Sequence, residues 1–385
     1  MKNMRKDFSY FRENNEIYFD NASTTQKPDP VIEEVTKYLR KSSNVGRGSY
    51  DLANKTSKQV EEVREKVARF IGADKKEVVF TSGATESLNL IQHIVSEQVE
   101  DGDNILVSKE AHKATKLPWK KLSSELEKQG KELEIREYKV LRTGDADIED
   151  IVSKVDEETK LVSLTHIHNA YGGRTEVERL NKELSEDPLL CLDVCQSIVH
   201  VPVDVENLNV DFLAFSGHKM FASTGVGVAY INQLHHENIP KYRVGGGLKT
   251  EEMPHKLERG TPNISGIMSL GAATDYINKL GIENIQERNL ELTKYLIGEL
   301  KKLDIEFDKG PAFSSCSDVG YGIVSFKLPN ISAKDVGFIL DNNGIYVRDG
   351  KHCRTQGDNS VRVSMQFYNT REEVDKLIEV LKEFV

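Results

Sequence analysis

The chain has 385 residues with 52 basic and 62 acidic side chains, a formal charge of −10, and 38% apolar and 30% charged residues. Enough is apolar to bury a core, which excludes wholesale disorder, and no Lys/Arg run offsets the acidity, which argues against nucleic-acid binding. Four cysteines cannot build a disulfide framework, no apolar run of about 18 residues offers a membrane span, and the polar start MKNMRKDFSYFRENNE is no signal peptide, so a soluble, cytoplasmic protein of more than one domain is expected.

Helical periodicity runs over Pro30 to Lys41 and Thr56 to Phe70. A short strand, Glu77 to Phe80, ends at Ser82-Gly83-Ala84-Thr85-Glu86, and an apolar helix follows to about Val95. Further strands read at Asn104 to Ser108, Leu161 to Thr165, Leu189 to Val194, Phe212 to Ser216 and Gly227 to Ile231. Strands alternating with helices predict a doubly wound, mostly parallel α/β sheet, with ligands at the strand ends. Near Gly271 the pattern changes: a long helix from about Ser269 to Leu303, then a strand (Gly322 to Leu328), a helix (Ala333 to Asn342), two strands (Ile345 to Arg348, Val361 to Gln366) and a helix (Arg371 to Phe384). The expected division is a large domain over 18–268 and a small α+β domain over 269–385, with 1–17 packed on it.

The strand Phe212 to Ser216 runs straight into Gly217-His218-Lys219. Most lysines are surface residues. One held at the mouth of a buried strand loses hydration, which favours the neutral nucleophilic amine. Ser216 and His218 beside it suit a phosphate. Upstream, Asp193 sits inside an apolar strand, which is costly unless it meets a cation or strong donor. The spacing between Asp193 and Lys219 fits one strand–helix–strand step. A lysine, a carboxylate and a phosphate site together form the minimum kit for pyridoxal phosphate. The 82–86 loop presents backbone N–H groups to a phosphate, although many such loops merely cap their helix, and it lacks the lysine of a nucleotide-triphosphatase loop. Cys191, Cys195 and His200 could be read as a metal cluster, but buried structural cysteines are commoner and no metal is expected. His112 follows a strand and is either an exposed loop residue or a ring-stacking proton shuttle. Cys353 lies among Arg348, Lys351, His352 and Arg354, cations that lower a thiol pKa, in a polar loop expected to swing. Arg362 opens a strand, where it suits either a carboxylate or an ordinary ion pair.

Together these segments resemble the class V branch of fold-type I pyridoxal-phosphate enzymes, and within it the type II cysteine desulfurases. The resemblance rests on Tyr18-Phe19-Asp20-Asn21-Ala22-Ser23-Thr24, Ser82-Gly83-Ala84-Thr85-Glu86-Ser87, Asp193-x-x-Gln196, Ser216-Gly217-His218-Lys219 and Arg348-x-Gly350-x-His352-Cys353. It implies a seven-stranded large-domain sheet and these roles. Lys219 holds pyridoxal 5′-phosphate as an imine, Asp193 faces the pyridine nitrogen, Gln196 the ring oxygen and His112 the ring. Ala84, Thr85, Ser216 and His218 hold the phosphate. Thr261 reaches the phosphate of a second subunit, implying a homodimer. Asn169, Arg348 and Arg362 bind the L-cysteine carboxylate, and Cys353 takes the sulfur for an acceptor or iron–sulfur scaffold protein. The resemblance departs at Asn44 to Tyr50, where Arg47 stands without flanking histidines, and in short intervals near Gly247 and after Cys353. The alternatives are selenocysteine lyase or another class V lyase or aminotransferase, and a catalytically silent sulfur carrier or scaffold.

Overall fold

The computed structural model describes residues 2–46, 48–237, 239–246, 252–308, 320–357 and 359–385. Arg47 and Cys316 therefore lie outside the described residues. A two-residue strand β1 (Ile17–Tyr18) precedes the strands of the main sheet: β2 (Val78–Thr81), β3 (Asn104–Ser108), β4 (Glu134–Tyr138), β5 (Thr159–Thr165), β6 (Leu189–Asp193), β7 (Phe212–Ser216) and β8 (Gly227–Ile231). They form one seven-stranded sheet in the order β2-β8-β7-β6-β5-β3-β4. The β7-β6-β5-β3-β4 pairings are parallel, whereas β8 runs antiparallel to both β2 and β7. Residues of β3, β7 and β8 are buried throughout, without alternation, because helices cover both faces. The expected doubly wound architecture is the one that forms. The edge strand β4 escapes the sequence pattern because EIREY is charged and mostly half-buried, without an apolar run.

A second sheet holds β9 (Glu306–Phe307), β10 (Ile323–Lys327), β12 (Arg348–Gly350) and β13 (Ser360–Ser364) in the order β12-β13-β10-β9, all antiparallel. Its core gathers Leu292, Leu296, Phe326, Val363, Val374 and Leu377. Between them in sequence, β11 (Ile345–Tyr346) pairs in parallel with β1 instead. The single strand expected over Ile345 to Arg348 is thus two, because its halves serve different ladders.

The long helix expected from Ser269 to Leu303 is also two, Ile264–Leu280 and Ile282–Lys302. Gly281 breaks it with φ +79, a left-handed conformation that few other residues adopt. The first begins early because Asn263 Oδ1 caps it, accepting from Gly266 N at 3.0 Å. The expected boundary at 268/269 falls inside that helix, whose apolar residues Ile264 to Leu280 belong to the core of the large sheet. The N-terminal segment contributes to both cores: Phe8 contacts Phe221, Tyr276, Phe367 and Tyr368 within the core of the large sheet, and Ile17 joins the core of the second sheet. The final helix stops at Leu381, and Lys382–Phe384 tightens into a 3-10 turn. Among the described residues no helix is long and apolar enough to cross a membrane.

Candidate active site

The carboxyl ends of β3, β5, β6 and β7 open on one side of the sheet, where ligands bind in such folds. There a cleft of about 290 Å³ is lined by Ala84, Thr85, His112, Asn169, Asp193, Gln196, Ser216, His218, Lys219, Arg348, Cys353 and Arg362. Residues spread over most of the chain, picked individually in the sequence, thus share one space. Thr261 does not. It lines a separate hollow of about 220 Å³ with Thr81, Ser82 and Arg243. A larger groove, about 710 Å³, lies between the helices Asp29–Arg40, Asp51–Phe70 and Ile264–Leu280. It is lined by charges of both signs, among them Glu33, Lys37, Glu62, Lys66 and Asp275, and holds none of the candidate site residues, which gather in the smaller cleft.

Each side chain is held in place. Asp193 ends β6, 6% exposed, and accepts from Thr115 Oγ1 at 2.7 Å and from Cys195 N at 2.9 Å, which fixes its carboxylate plane. Lys219 ends a single 3-10 turn that follows β7 directly. His112 caps the helix Lys113–Glu127, its Nδ1 accepting from Ala114 N at 3.2 Å, so a neutral ring carries its proton on Nε2. Burial, and then the Lys219 charge, hold its pKa below the ordinary value. His218 is pushed down to about 4, by burial first and Lys219 next. Gln196 Nε2 donates to Ala22 O at 2.8 Å.

The phosphate-suited loop is shaped by close backbone approach. The Ala84 amide, at the start of the helix Ala84–Ser96, donates to Ser216 Oγ at 2.8 Å. Gly227 of β8 lies so near that a Cβ there would fall 2.5 Å from Gly83 Cα. Loop, Ser216 and His218 therefore form one cradle at a helix N-terminus.

Arg362, 3% exposed, donates from Nη1 to Asn169 O and from Nη2 to Asp20 Oδ1 and Ser23 Oγ, each at 2.9 Å. The opening motif Tyr18 to Thr24 thus serves to orient this arginine, a role that its sequence did not disclose. Arg348 lines the cleft from an exposed position on β12.

Cys353 is exposed, yet its turn is tied down. Lys113 N donates to Cys353 O at 3.0 Å, Thr355 N to Ala111 O at 3.1 Å and Asn169 Nδ2 to His352 O at 2.8 Å. His352 and Cys353 both adopt positive φ, +54 and +59. Such residues cost about 1–3 kcal/mol each and persist only where the surroundings dictate them. In the structure the loop expected to swing forms a turn held by these three hydrogen bonds to the segments bearing His112 and Asn169. Nor do all of the expected cations face the thiol, since the Arg354 side chain is buried against Glu110 and Asp308. Arg362 is the buried cation whose charge is coupled to Cys353. Burial pushes the Cys191 and Cys195 thiols up, the latter to about 12, leaving them protonated. With His200 they form no metal-binding cluster among the described residues.

Two further residues escaped the sequence reading. Thr115 was hidden in an ordinary first helical turn, and the only available signal was its place three residues after His112. Lys27 Nζ donates to His218 O at 2.9 Å, and burial lowers its pKa to about 7, making it a second amine beside Lys219.

Around the cleft, Thr165 Oγ1, Asn169 Oδ1, His218 Nδ1 and Arg362 Nε are buried without a hydrogen-bond partner. Buried polar atoms are normally satisfied, so this space suits a polar ligand. The donor set fits a phosphorylated pyridine aldehyde: helix N-terminus, Ser216 and His218 for phosphate, Asp193 for a ring nitrogen, and Lys219 for the aldehyde.

Comparison with known proteins agrees. The chain is 37% identical to a probable cysteine desulfurase of Pyrococcus abyssi, over 100% of this chain and 97% of that one. It is 32% identical to a cysteine desulfurase of Wigglesworthia glossinidia brevipalpis, over 99% and 96%. The apo structure of a cysteine desulfurase from Thermococcus onnurineus NA1 superposes with a TM-score of 0.92 at 35% identity, covering 100% of this chain and 97% of that one. An Escherichia coli cysteine desulfurase structure gives 0.87 at 26% identity, over 99% and 97%. The aminotransferase class-V family model matches residues 17–377, nearly the whole chain, and the chain belongs to that family.

Proposed function

We propose that this protein is a cysteine desulfurase, which takes the sulfur of L-cysteine onto Cys353 and releases L-alanine. The observation that carries the reading is the exposed Cys353 lining the same cleft as Lys219, Asp193, His112 and Arg362. Pyridoxal 5′-phosphate is the family's cofactor. When bound it supplies an electron sink that weakens bonds around the substrate α-carbon. Lys219 would hold it, with Ala84, Thr85, Ser216 and His218 on its phosphate. Asp193, locked by Thr115 and Cys195, sets a negative charge for the ring nitrogen, and Gln196 offers a donor.

The chain's own residues then do the following. Arg362, with Asn169 and Arg348, orients the substrate carboxylate through a bidentate-capable guanidinium. The Lys219 amine takes the α-proton. His112 Nε2–H is a proton donor in a neutral ring. Cys353 Sγ attacks the substrate sulfur: an S–S bond forms as the C–S bond breaks. L-cysteine and a thiol give L-alanine and a persulfide, and no outside oxidant is required.

The finer reading adds a homodimer completed by Thr261 and Arg47, delivery of sulfur to an acceptor or iron–sulfur scaffold protein, and a cytoplasmic location. Two domains are also part of it, supported by a hydrophobic cluster of the second sheet distinct from those on the faces of the large sheet. Selenocysteine lyase activity on the same cleft is the enzymatic alternative, and a silent sulfur carrier the non-enzymatic one. Alanine and sulfide release from L-cysteine, with and without Cys353, tests the proposal. Turnover that persists without Cys353 overturns it in favour of the lyase, and no turnover by the yellow holoenzyme favours the carrier.

A further inference from the structure

Arg354 follows Cys353 directly, does not line the cleft, and has a side chain 0% exposed. Burying a guanidinium is costly unless its donors are used. Here Nε donates to Lys351 O at 3.0 Å, Nη2 to Asp308 Oδ2 at 3.2 Å and Nη1 to the Tyr171 hydroxyl. Glu110 Oε2 lies 3.7 Å from Nη1, and the Tyr171 ring centre 4.8 Å from the guanidinium carbon. Tyr171 in turn donates to Glu110 Oε2 at 2.5 Å and stacks on His168 with centroids 4.4 Å apart. Gly357 closes the cage, since a Cβ there would fall 2.6 Å from Nη1.

The partners of Arg354 are placed with a pattern. Glu110 stands two residues before His112, and Tyr171 two after Asn169. Asp308 also accepts from Ser360 Oγ at 2.9 Å. Ser360 pairs with His352 Nε2 at 3.0 Å and stands two residues before Arg362. One guanidinium therefore reaches, directly or through Asp308 and Ser360, the segments that bear His112, Asn169 and Arg362, three of the residues that line the cleft with Cys353. It does so next to two residues of left-handed backbone, which need such reinforcement.

We propose that Arg354 is a positioning residue: through Glu110, Tyr171 and Asp308 it clamps the Cys353 turn against the loops bearing His112 and Asn169. Sulfur is then taken up by a pre-placed thiol without a loop swing, and the acceptor has to approach the exposed turn. This rests on the desulfurase reading.

The test uses holoenzyme of Arg354→Gln, Arg354→Lys and Tyr171→Phe. Two quantities are followed: single-turnover gain of sulfur on the Cys353 peptide by mass spectrometry, and amide hydrogen exchange of the 351–357 peptide, with the β7 peptide as control. In Arg354→Gln, persulfide formation is expected to slow at least ~10-fold with KM for L-cysteine little changed, because a misplaced reacting group forfeits orientation. Exchange at 351–357 is expected to rise ~10-fold while β7 is unaffected. Lysine cannot span both carboxylates and is expected not to rescue. Tyr171→Phe, which removes one hydroxyl and keeps the fold, is expected to shift both readouts the same way by less, and it decides the matter where Arg354→Gln does not fold. Native persulfide rate and native local exchange in these variants overturn the proposal, as does a uniform rise in exchange. A wild-type enzyme that gains no sulfur on Cys353 instead overturns the desulfurase reading, and local exchange alone then decides whether Arg354 positions the turn.

Discussion

The Lys113 amide donates to the Cys353 carbonyl at 3.0 Å. The residue next to the cleft histidine and the exposed cysteine, 240 positions apart in sequence, are thus joined through the main chain. The thiol lines the cleft from a turn held by this bond, and its exposure leaves it open to an acceptor.

Cys353→Ser is expected to stop sulfide release from L-cysteine and to keep the cofactor absorbance of the resting enzyme. Mass spectrometry after one turnover of the wild type should find one extra sulfur on the Cys353 peptide. Sulfur on Cys191 or Cys195 would contradict the burial that keeps those thiols protonated.

Borohydride reduction of the holoenzyme should fix pyridoxal phosphate to Lys219 and leave Lys27 unlabelled. Burial makes Lys27 the rival amine. However, Lys219 is the one that lines the cleft with Asp193. Peptide mapping reads the outcome, and Lys219→Ala should turn over nothing.

Asp193→Asn should lower kcat by about 10³-fold or more, since a several-kcal/mol electron-sink contribution is lost. Thr115→Val removes one of the two donors to Asp193 and should lower kcat by about 10-fold. Near-normal turnover of Asp193→Asn would make the aspartate merely structural.

Gly227→Ala should weaken pyridoxal phosphate binding by at least ~10-fold, because its Cβ would displace the Gly83 backbone of the phosphate-suited loop. Equilibrium dialysis of the folded apoprotein measures it. Unchanged affinity would show that the loop yields freely.

His166 and His200 are buried, and burial pushes each from 6.5 down to about 3. The unfolded chain takes up their protons near pH 6.5 and the folded chain does not. Their contribution to stability is therefore full above pH 6.5 and is lost as pH falls toward 3, at up to ~1.4 kcal/mol per pH unit for each. Urea unfolding at pH 7.5 and 5.0 should show a smaller acid loss in His200→Asn than in the wild type. Equal losses would refute the assignment.

Much of this protein was legible in its sequence. Buried parallel strands read as short apolar runs, so the order of strands and helices around Lys219 and Asp193 followed from local pattern alone. Residues whose chemistry clashes with their surroundings, such as an aspartate in an apolar strand or a lysine at its mouth, announced themselves for the same reason. What stayed hidden depends on partners distant in the chain. A charged edge strand, Glu134–Tyr138, forms only because β3 offers it a ladder. The run Ile345 to Gly350 divides because β1 claims one half and β13 the other. Arg354 read as one of several cations around a thiol, and only the fold turned it inward. Side-chain direction in a loop is set by where complementary charge is buried, and Glu110 and Asp308 come together on either side of it only in three dimensions.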